Sequence, residues 1–448
     1  MKKINFQCPS TPIYNAAAEV VRKIRQYGAD AFFVGGCVRN MLMHKHCKDI
    51  DIVCSLPFDK IPEIFPDTVL AGAAFGVNII KHNGFSFEIA SAREERQYMD
   101  GRHPESVRFT NNFKIDSERR DFTVNAMLYD PESQEIIDWH GGIDDIAGGI
   151  LRTVGDSKKR FNEDYLRMLR AIRFAARYDF VIADETWQAI KCNAHLCKEI
   201  AAERVLQELD LMFSHNSCAR AVELLDRSDI LKHILPEVAE LHGVEQPPEW
   251  HPEGDVFTHT MNMLKRITYP QTDLVWSVLL HDIGKKPCFT RNERGIHFYG
   301  HEAKGALMAD ELLSKLRMPN NRRSLISTLV RDHMRFVQVK NMKTATLRKF
   351  LGRTDLPLLM EINRLDSICS CGNLNDWLFM LDTISRYRGE EILPAPLING
   401  KTLLKLGYKP GPQFSKILDF IYEKQLSDKK IDFEHACDLI KKHFPCIL

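Results

Sequence analysis

Aspartate occupies positions 49 and 51, with one isoleucine between them, in KDIDIVC. In a strand alternate side chains share a face, so Asp49 and Asp51 point one way while Ile50 and Ile52 point into a core. Two carboxylates about 6–7 Å apart on one face can grip hard divalent cations such as Mg²⁺. A pair of such ions stabilises the attacking and leaving oxygens of an in-line phosphoryl transfer. Just upstream, FFVGGCVRN closes an apolar run on Gly35 and Gly36. Glycines there let the backbone approach a phosphate and open the following helix. Arg39, one turn into that helix, adds a guanidinium to the same anion. A DxD alone is more often an acidic surface, and a glycine pair alone a turn. Their joint order between strands points to phosphate transfer. Glu88, in FSFEIAS, is a candidate third carboxylate, with a cross-strand surface position as its plainer explanation.

A second set could choose a base. Asp164, Arg167, Arg170 and Arg173 sit three residues apart, which on a helix makes a slowly drifting polar stripe. A solvated basic stripe is the ordinary explanation of such a run. The sharper one is a base reader. Cytosine and adenine both offer an exocyclic amine beside a ring-nitrogen acceptor, so Asp164 can accept from the amine while Arg167 donates to the ring. Uracil and guanine would set acceptor against acceptor and donor against donor, at a cost on the order of several kcal/mol in a dry pocket. Arg119 and Arg120 make a natural triphosphate clamp. Asp121 and Asn125, one turn apart, are placed to hold it. The polar stretch 91–109, with Gly101 and Pro104, reads as a mobile loop.

A third set lies in the second half: His259, then the adjacent pair His281–Asp282 in LLHDIGK, then His301, His333 and Asp366. Imidazole and carboxylate together suit Mg, Mn, Fe, Ni or Co rather than structural zinc. A lone histidine is ordinarily a core or surface residue, but HD followed by IGK after an apolar helix is far more specific.

These residues need elements to place them. Residues 1–150 mix short β-branched runs with glycine turns, and NAAAEVVRKIRQYG before them reads as a helix ending at Gly28. From about residue 160 nearly everything repeats at helical spacing. The expected class is therefore α+β: a head with a mixed sheet, then an all-helical remainder. The expected divisions are a catalytic head at 1–150, a neck at 151–215, a body with the histidine set at 216–370 and a tail at 371–448. The best linker is PEVAELHGVEQPPEWHPEGD, 236–255, with a second break at 392–413.

At 448 residues the chain exceeds one small core, and a net charge of +1 neither demands nor excludes nucleic acid. Its 12 cysteines form no CxxC pair, so a reducing cytosol is expected. The opening MKKINFQCPSTPIYN lacks the apolar core of a secretory signal, and no run approaches the ~20 apolar residues of a membrane span.

The glycine–aspartate arrangement resembles the head of the polymerase-β nucleotidyltransferase superfamily, and most nearly the class II tRNA nucleotidyltransferases (CCA-adding enzymes) and their poly(A) polymerase relatives. SERRDFTVNAMLYD (117–130), IIDWHGGIDDIAGG (136–149), NEDYLRMLRAIRFAARYDF (162–180) and AAERVLQELDLMF (201–213) resemble that family's further motifs, in family order. The resemblance implies a polymerase-β-like head, Asp49 and Asp51 as catalytic Mg²⁺ ligands, and CTP, ATP and tRNA as substrates. It implies nucleotide contacts from Gly35, Gly36, Arg39, Arg120, Asp164, Arg167, Arg170 and Arg173, with Glu163 orienting. It assigns the 91–109 loop to the passage from C to A addition, and tRNA recognition by shape to the tail. LLHDIGK resembles the HD phosphohydrolases, which implies one metal on His259, His281, Asp282 and Asp366, with His301 and His333 fitting a second. Two further readings stand beside CCA addition: a poly(A) polymerase or A-adding specialist, and an HD phosphohydrolase whose head only binds nucleotides.

Overall fold

Thr11 accepts a hydrogen bond from the Tyr14 amide, and Pro12 takes the first helical position, so the helix α1 (Pro12–Gln26) begins with its end already capped. Ala17, Val20, Val21 and Ile24 recur at helical spacing along its buried face. They meet Phe33, Ile52, Ile80, Phe87 and Ile89 in the main core of the head. Each such aliphatic side chain stabilises the fold by about 1.5–3 kcal/mol relative to exposure. The computed structural model describes residues 1–8, 10–70, 77–98, 104–252, 254–389, 391–428 and 430–445.

The first strands of the head are β1 (Lys2–Asn5), β2 (Ala31–Val34), β3 (Asp51–Cys54), β4 (Val69–Leu70), β5 (Val77–His82) and β6 (Phe85–Ser91). After a ribbon of β7 (Arg93–Tyr98) and β8 (Pro104–Phe109) come β9 (Leu128–Asp130) and β10 (Glu135–Asp138). The main sheet runs β1-β10-β9-β2-β3-β6-β5-β4. All its pairs are antiparallel except β3 with β6. Asn83 and Gly84, both at positive φ, make the two-residue turn between β5 and β6.

Three local expectations change. Within the stretch read as a loop, Arg93–Tyr98 and Pro104–Phe109 form the antiparallel ribbon β7–β8; Arg93 faces Phe109 and Glu94 faces Arg108 across it. Opposite charges across strands favour that pairing. Gly101 lies outside the described residues. The strand β3 begins at Asp51, so Asp49 sits on the approach to the strand and not within it. Asp164 is extended, φ −149° and ψ 108°, between the helices Ser157–Glu163 and Leu166–Tyr178. It therefore stands before the arginine helix rather than on its stripe.

The chain forms two compact units, Met1–Pro236 and Glu237–Leu448, parting where the proline-rich stretch begins. The first unit carries the head and the helices to residue 236. The helix Cys218–Arg227, which sequence reading placed with the body, packs on Leu166–Tyr178 within it. The second unit is helical apart from a small hairpin, Thr290–Asn292 with Gly295–His297. Its helix Thr272–Leu280 is buried on all sides from Leu274 to Leu280, as befits a central helix. The helices Gly400–Lys405, Pro412–Ser427 and Phe433–His443 close a separate small core around Leu403, Ile417, Ile421 and Ile440. Among the described residues no helix is long and apolar enough to cross a membrane.

Candidate active site and metal centre

The parallel pairing of β3 and β6 sets Asp51 directly opposite Glu88, while β2 sets Val34 on its other side. Ile50 and Ile52 are buried, which fixes the strand's orientation and leaves Asp49 and Glu88 exposed to solvent. Burial pushes the Asp51 carboxyl up to about 6, and the neighbouring Glu88 and Asp49 add to that while Arg120 opposes it. Three carboxylates thus share one corner of the sheet with too little positive charge to balance them. An all-oxygen acidic set of this kind fits a hard cation such as Mg²⁺.

Gly35 adjoins that corner in the left-handed region, at φ +77°, where glycine carries no penalty. A Cβ on it would lie 3.6 Å from Arg120 Nη1 and 3.7 Å from Asp51 Oδ2. The bare backbone, the guanidinium and the carboxylate therefore converge on one small space. Gly36 opens the helix α2 (Gly36–Leu42). Arg120 is held from behind, Nη2 to Asp116 Oδ2 at 3.2 Å, and its Nε is buried without a hydrogen-bond partner among the described residues. Arg119 binds Asp116 as well, Nε to Oδ1 at 2.9 Å, and reaches Glu95. Asp116 was not singled out from sequence, although an aspartate followed three and four residues later by arginines is the usual helical pairing.

Asp121 and Asn125 do not hold Arg120. Asp121 accepts from Arg170 Nε at 2.8 Å and from Asn125 Nδ2 at 3.1 Å. Burial alone would raise the Asp121 carboxyl, but the Arg170 charge and its hydrogen bonds draw it down to about 2. Asn125 in turn binds Arg39. Arg39 is buried, donates to Tyr178 Oη at 2.7 Å and to Asn40, and lies 4.3 Å from the Tyr178 ring centre. Expected to meet an anion, it is instead taken up in joining α2 to the arginine helix, because its donors reach buried acceptors there first. Burial lowers its affinity for a proton.

Asp164 is gripped by Arg204, Nη1 to Oδ1 at 3.1 Å and Nη2 to Oδ2 at 3.0 Å. Arg167 donates from Nη1 to Glu163 Oε2 at 2.7 Å and from Nη2 to the Arg119 carbonyl at 3.0 Å. Glu163 also accepts from Arg160, so it orients the arginines around it. Arg173 is buried against Glu208, Nε to Oε2 at 2.6 Å. Arg204 and Glu208 lie in AAERVLQELDLMF but were not named from sequence; partners some 35 to 40 residues apart leave no periodic signal. Asp164, Arg167, Arg170 and Arg173 thus each have a fixed partner, and Asp164 and Arg167 offer opposite hydrogen-bonding polarity.

In the second unit the histidine set comes together. His259 stands on the helix Val256–Lys265, His281 and Asp282 follow Thr272–Leu280, His301 opens His301–Lys315, His333 follows Asn320–Asp332, and Asp366 lies on Leu356–Cys369. Nδ1 of His281, His301 and His333 engages the carbonyls of Val278, Phe298 and Val330 at 2.7, 2.8 and 2.6 Å. Each ring is thereby turned to present Nε2 inward. His281 Nε2 is 3.1 Å from Asp282 Oδ2; His301 and His333 Nε2 are 3.5 and 3.8 Å from Asp282 Oδ1. His259 Nε2 is 3.2 Å from Asp366 Oδ1. Two groups can each hold a cation, His259–His281–Asp282 and Asp282–His301–His333, with Asp282 common to both. The Nε2 atoms of His281 and His301 are buried without a hydrogen-bond partner among the described residues, as metal-ready nitrogens are. Burial, with His281 next to it, pushes His333 down to about 4, so it stays neutral and able to ligate. Burial opposes ionisation of Asp366, yet the His259 contact holds it well below the usual carboxylate range.

Gly284 explains the residue after HDI. A Cβ there would come within 2.1 Å of the His301 carbonyl oxygen and 2.6 Å of the Gly305 amide nitrogen, so only glycine lets the His301 helix approach Asp282. Lys285, also buried, binds Asp282 Oδ2 at 2.7 Å and Gln246 Oε1 at 2.7 Å.

Residues 31–152 match the poly A polymerase head domain, and residues 179–241 match the probable RNA and SrmB-binding site of polymerase A. A CCA-adding enzyme of Geobacillus sp. (strain WCH70) is 39% identical over 221 residues, 49% of this chain and 54% of that protein. One from Limosilactobacillus reuteri is 41% identical over 208 residues, 46% of this chain and 51% of that protein. The chain thus spans about half the length of the curated relatives it matches. The fold extends further. The crystal structure of the Bacillus stearothermophilus CCA-adding enzyme in complex with CTP has a TM-score of 0.72 at 24% identity, covering 97% of this chain and 99% of that one. The Thermotoga maritima CCA-adding enzyme complexed with tRNA gives 0.63 at 19% identity, over 99% of both chains. Residues 31–152 thus form a poly A polymerase head domain built on an eight-stranded sheet, and the chain as a whole shares the fold of the CCA-adding enzyme structures.

Proposed function

We propose that the chain adds C, C and A to the 3′ end of tRNA from CTP and ATP, without a nucleic-acid template. The observation that carries this is the convergence of Asp51, Arg120 Nη1 and the bare Gly35 backbone beside Asp49 and Glu88. Asp49 and Asp51, with Glu88 beside them, would hold Mg²⁺, which when bound activates the primer 3′-hydroxyl and eases departure of pyrophosphate. Gly35 and Gly36 leave room for the triphosphate, and Arg120, braced by Asp116, donates to its oxygens. Asp164, fixed by Arg204, accepts the exocyclic amine of cytosine or adenine, and Arg167, fixed by Glu163, donates to the ring nitrogen. Arg170 and Arg173 support that edge of the site. The poly A polymerase head domain match, residues 31–152, holds Gly35, Gly36, Asp49, Asp51, Glu88 and Arg120.

Residues 151–215 serve as the neck that selects the nucleotide, and 371–448 as a tail that holds the tRNA backbone with its lysines. The histidine set of the body, 216–370, holds a divalent metal (Mg, Mn, Ni or Co) for cleaving phosphoesters, such as those on damaged RNA ends. Its all-nitrogen-and-oxygen donors and inward Nε2 atoms support that reading.

The assay supplies purified protein with tRNA ending at the discriminator base, tRNA ending in CC, and a poly(A) primer, each with single nucleotides. Three additions followed by arrest support the proposal. Extension of tRNA-CC by A alone indicates an A-adding specialist, and unlimited A addition a poly(A) polymerase. Phosphate release without any addition leaves only the hydrolase.

A further inference from the structure

Asp116 divides its two oxygens between two parts of the head. It lies on the helix Phe113–Glu118 and is 1% exposed. Oδ1 accepts from the Arg93 backbone amide at 3.1 Å and from Arg119 Nε at 2.9 Å. Oδ2 accepts from Arg120 Nη2 at 3.2 Å. Burial opposes ionisation of the carboxyl, yet the Arg120 and Arg119 charges beside it hold it below its ordinary value. It is therefore a carboxylate, an acceptor at both oxygens, with donors on each.

Arg93 opens the β7–β8 ribbon. Arg93 and Glu95 are alternate residues of one strand, so their side chains share a face. Arg93 Nη2 lies 2.6 Å from Glu95 Oε1, and Arg119 Nη1 donates to that same oxygen at 3.3 Å. The Glu95 side chain is buried by these contacts. β7 packs against the helix Phe113–Glu118 and also against Ser157–Glu163, whose last residue holds Arg167. Two carboxylates thus fasten the base of the ribbon to the segment that carries the triphosphate clamp, and Asp116 is the one that reaches Arg120. An exposed ion pair could drift without consequence. A buried carboxylate with donors at both oxygens cannot: a shift of the ribbon base carries Asp116 with it or breaks a charge-assisted hydrogen bond. A guanidinium aimed at a reacting triphosphate tolerates little misplacement.

We propose that Asp116 is a positioning residue that couples the β7–β8 ribbon to the triphosphate: it sets Arg120 beside Gly35 and Asp51 according to where the base of the ribbon stands. The proposal rests on the reading of Arg120 as a triphosphate contact. The ribbon then acts on the nucleotide through the phosphates, by way of Arg120, and not through the base.

Equilibrium binding of CTP and of CMP to the full chain in the presence of Mg²⁺ tests it. Asp116→Asn keeps the shape but turns an amide donor toward one set of guanidinium or amide donors. It is expected to weaken CTP about tenfold and to leave CMP unchanged. Glu95→Gln loosens the ribbon base without touching Arg120, and is expected to weaken CTP about threefold. In the Asp116→Asn background Glu95→Gln should add nothing, because the link it acts through is already cut. Additive losses overturn the proposal. So does an equal loss of CTP and CMP, the mark of a general packing defect. If Asp116→Asn does not fold, Glu95→Gln carries the test by itself: an unchanged ratio of CTP to CMP affinity overturns the proposal. Failure of the underlying reading shows separately. Arg120→Met would then bind CTP as tightly as wild type, and the proposal would fall with it.

Discussion

Arg204 grips Asp164 with two parallel hydrogen bonds of 3.1 and 3.0 Å across 40 residues of chain. A carboxylate held at both oxygens cannot turn away when a base with the wrong edge arrives. Arg204→Ala removes that restraint while leaving Asp164 in place. Discrimination of CTP against UTP, measured as the ratio of their kcat/KM values, is expected to fall about tenfold. Unchanged discrimination would separate Asp164 from base choice.

Arg39 gives the opposite kind of prediction, since its donors end on Asn125, Asn40 and Tyr178. Replacing it with methionine keeps the bulk and leaves those buried acceptors unpaired. Thermal unfolding should show a loss of about 2–3 kcal/mol. Any drop in nucleotide addition should track the unfolded fraction. A soluble, fully stable variant with a raised KM for nucleotide would instead return Arg39 to the anion site.

The Asp121–Arg170 pair sets a pH dependence. The Asp121 carboxyl is drawn from its ordinary 3.8 down to about 2 in the folded chain. Its contribution is complete above pH 4 and is lost as pH falls through 2, because only the unfolded state then takes up the proton readily. The shift corresponds to about 2 kcal/mol. Denaturant unfolding of Asp121→Asn is expected to show lower stability than wild type at pH 7, with the difference shrinking toward pH 2. A difference that stays constant with pH would assign the effect to packing.

Asp282 is common to both candidate cation groups, and Gly284 sets how closely His301 approaches it. Mn²⁺ or Co²⁺ should therefore raise the melting temperature of the chain by mass action. Asp282→Ala and His281→Ala should abolish that rise, together with any metal-dependent phosphatase, and leave nucleotide addition intact. Gly284→Ala removes no ligand, yet should blunt the rise because a Cβ forces the His301 helix away. A phosphatase that survives His281→Ala and Asp282→Ala would end the assignment.

Much of this layout can be read from residue order. Alternation at Ile50–Asp51–Ile52 marked a carboxylate beside a buried core, and the HD pair with its outlying histidines pointed to the cluster that gathers around Asp282. What escaped has a common cause. The β7–β8 ribbon is rich in charge and lacks apolar alternation, so Arg93, Glu94 and Glu95 look like loop. The partners Asp116, Arg204 and Glu208 act through contacts that only the folded chain creates. Asp164 and Arg39 fit the helical spacing in sequence, but a break after Glu163 and buried acceptors around Asn125 decide where each side chain goes. Local pattern carries the elements; the orientation of long polar side chains depends on which partner is nearest in space.

The most direct test of the account is single-turnover addition of CMP to tRNA ending at the discriminator base, with wild type compared with Asp49→Ala and Asp51→Ala. Both variants are expected to melt no lower than wild type, since removing either carboxylate relieves repulsion in the cluster. Both are expected to lose addition by about a hundredfold or more. A folded Asp51→Ala protein that extends tRNA at the wild-type rate would contradict it.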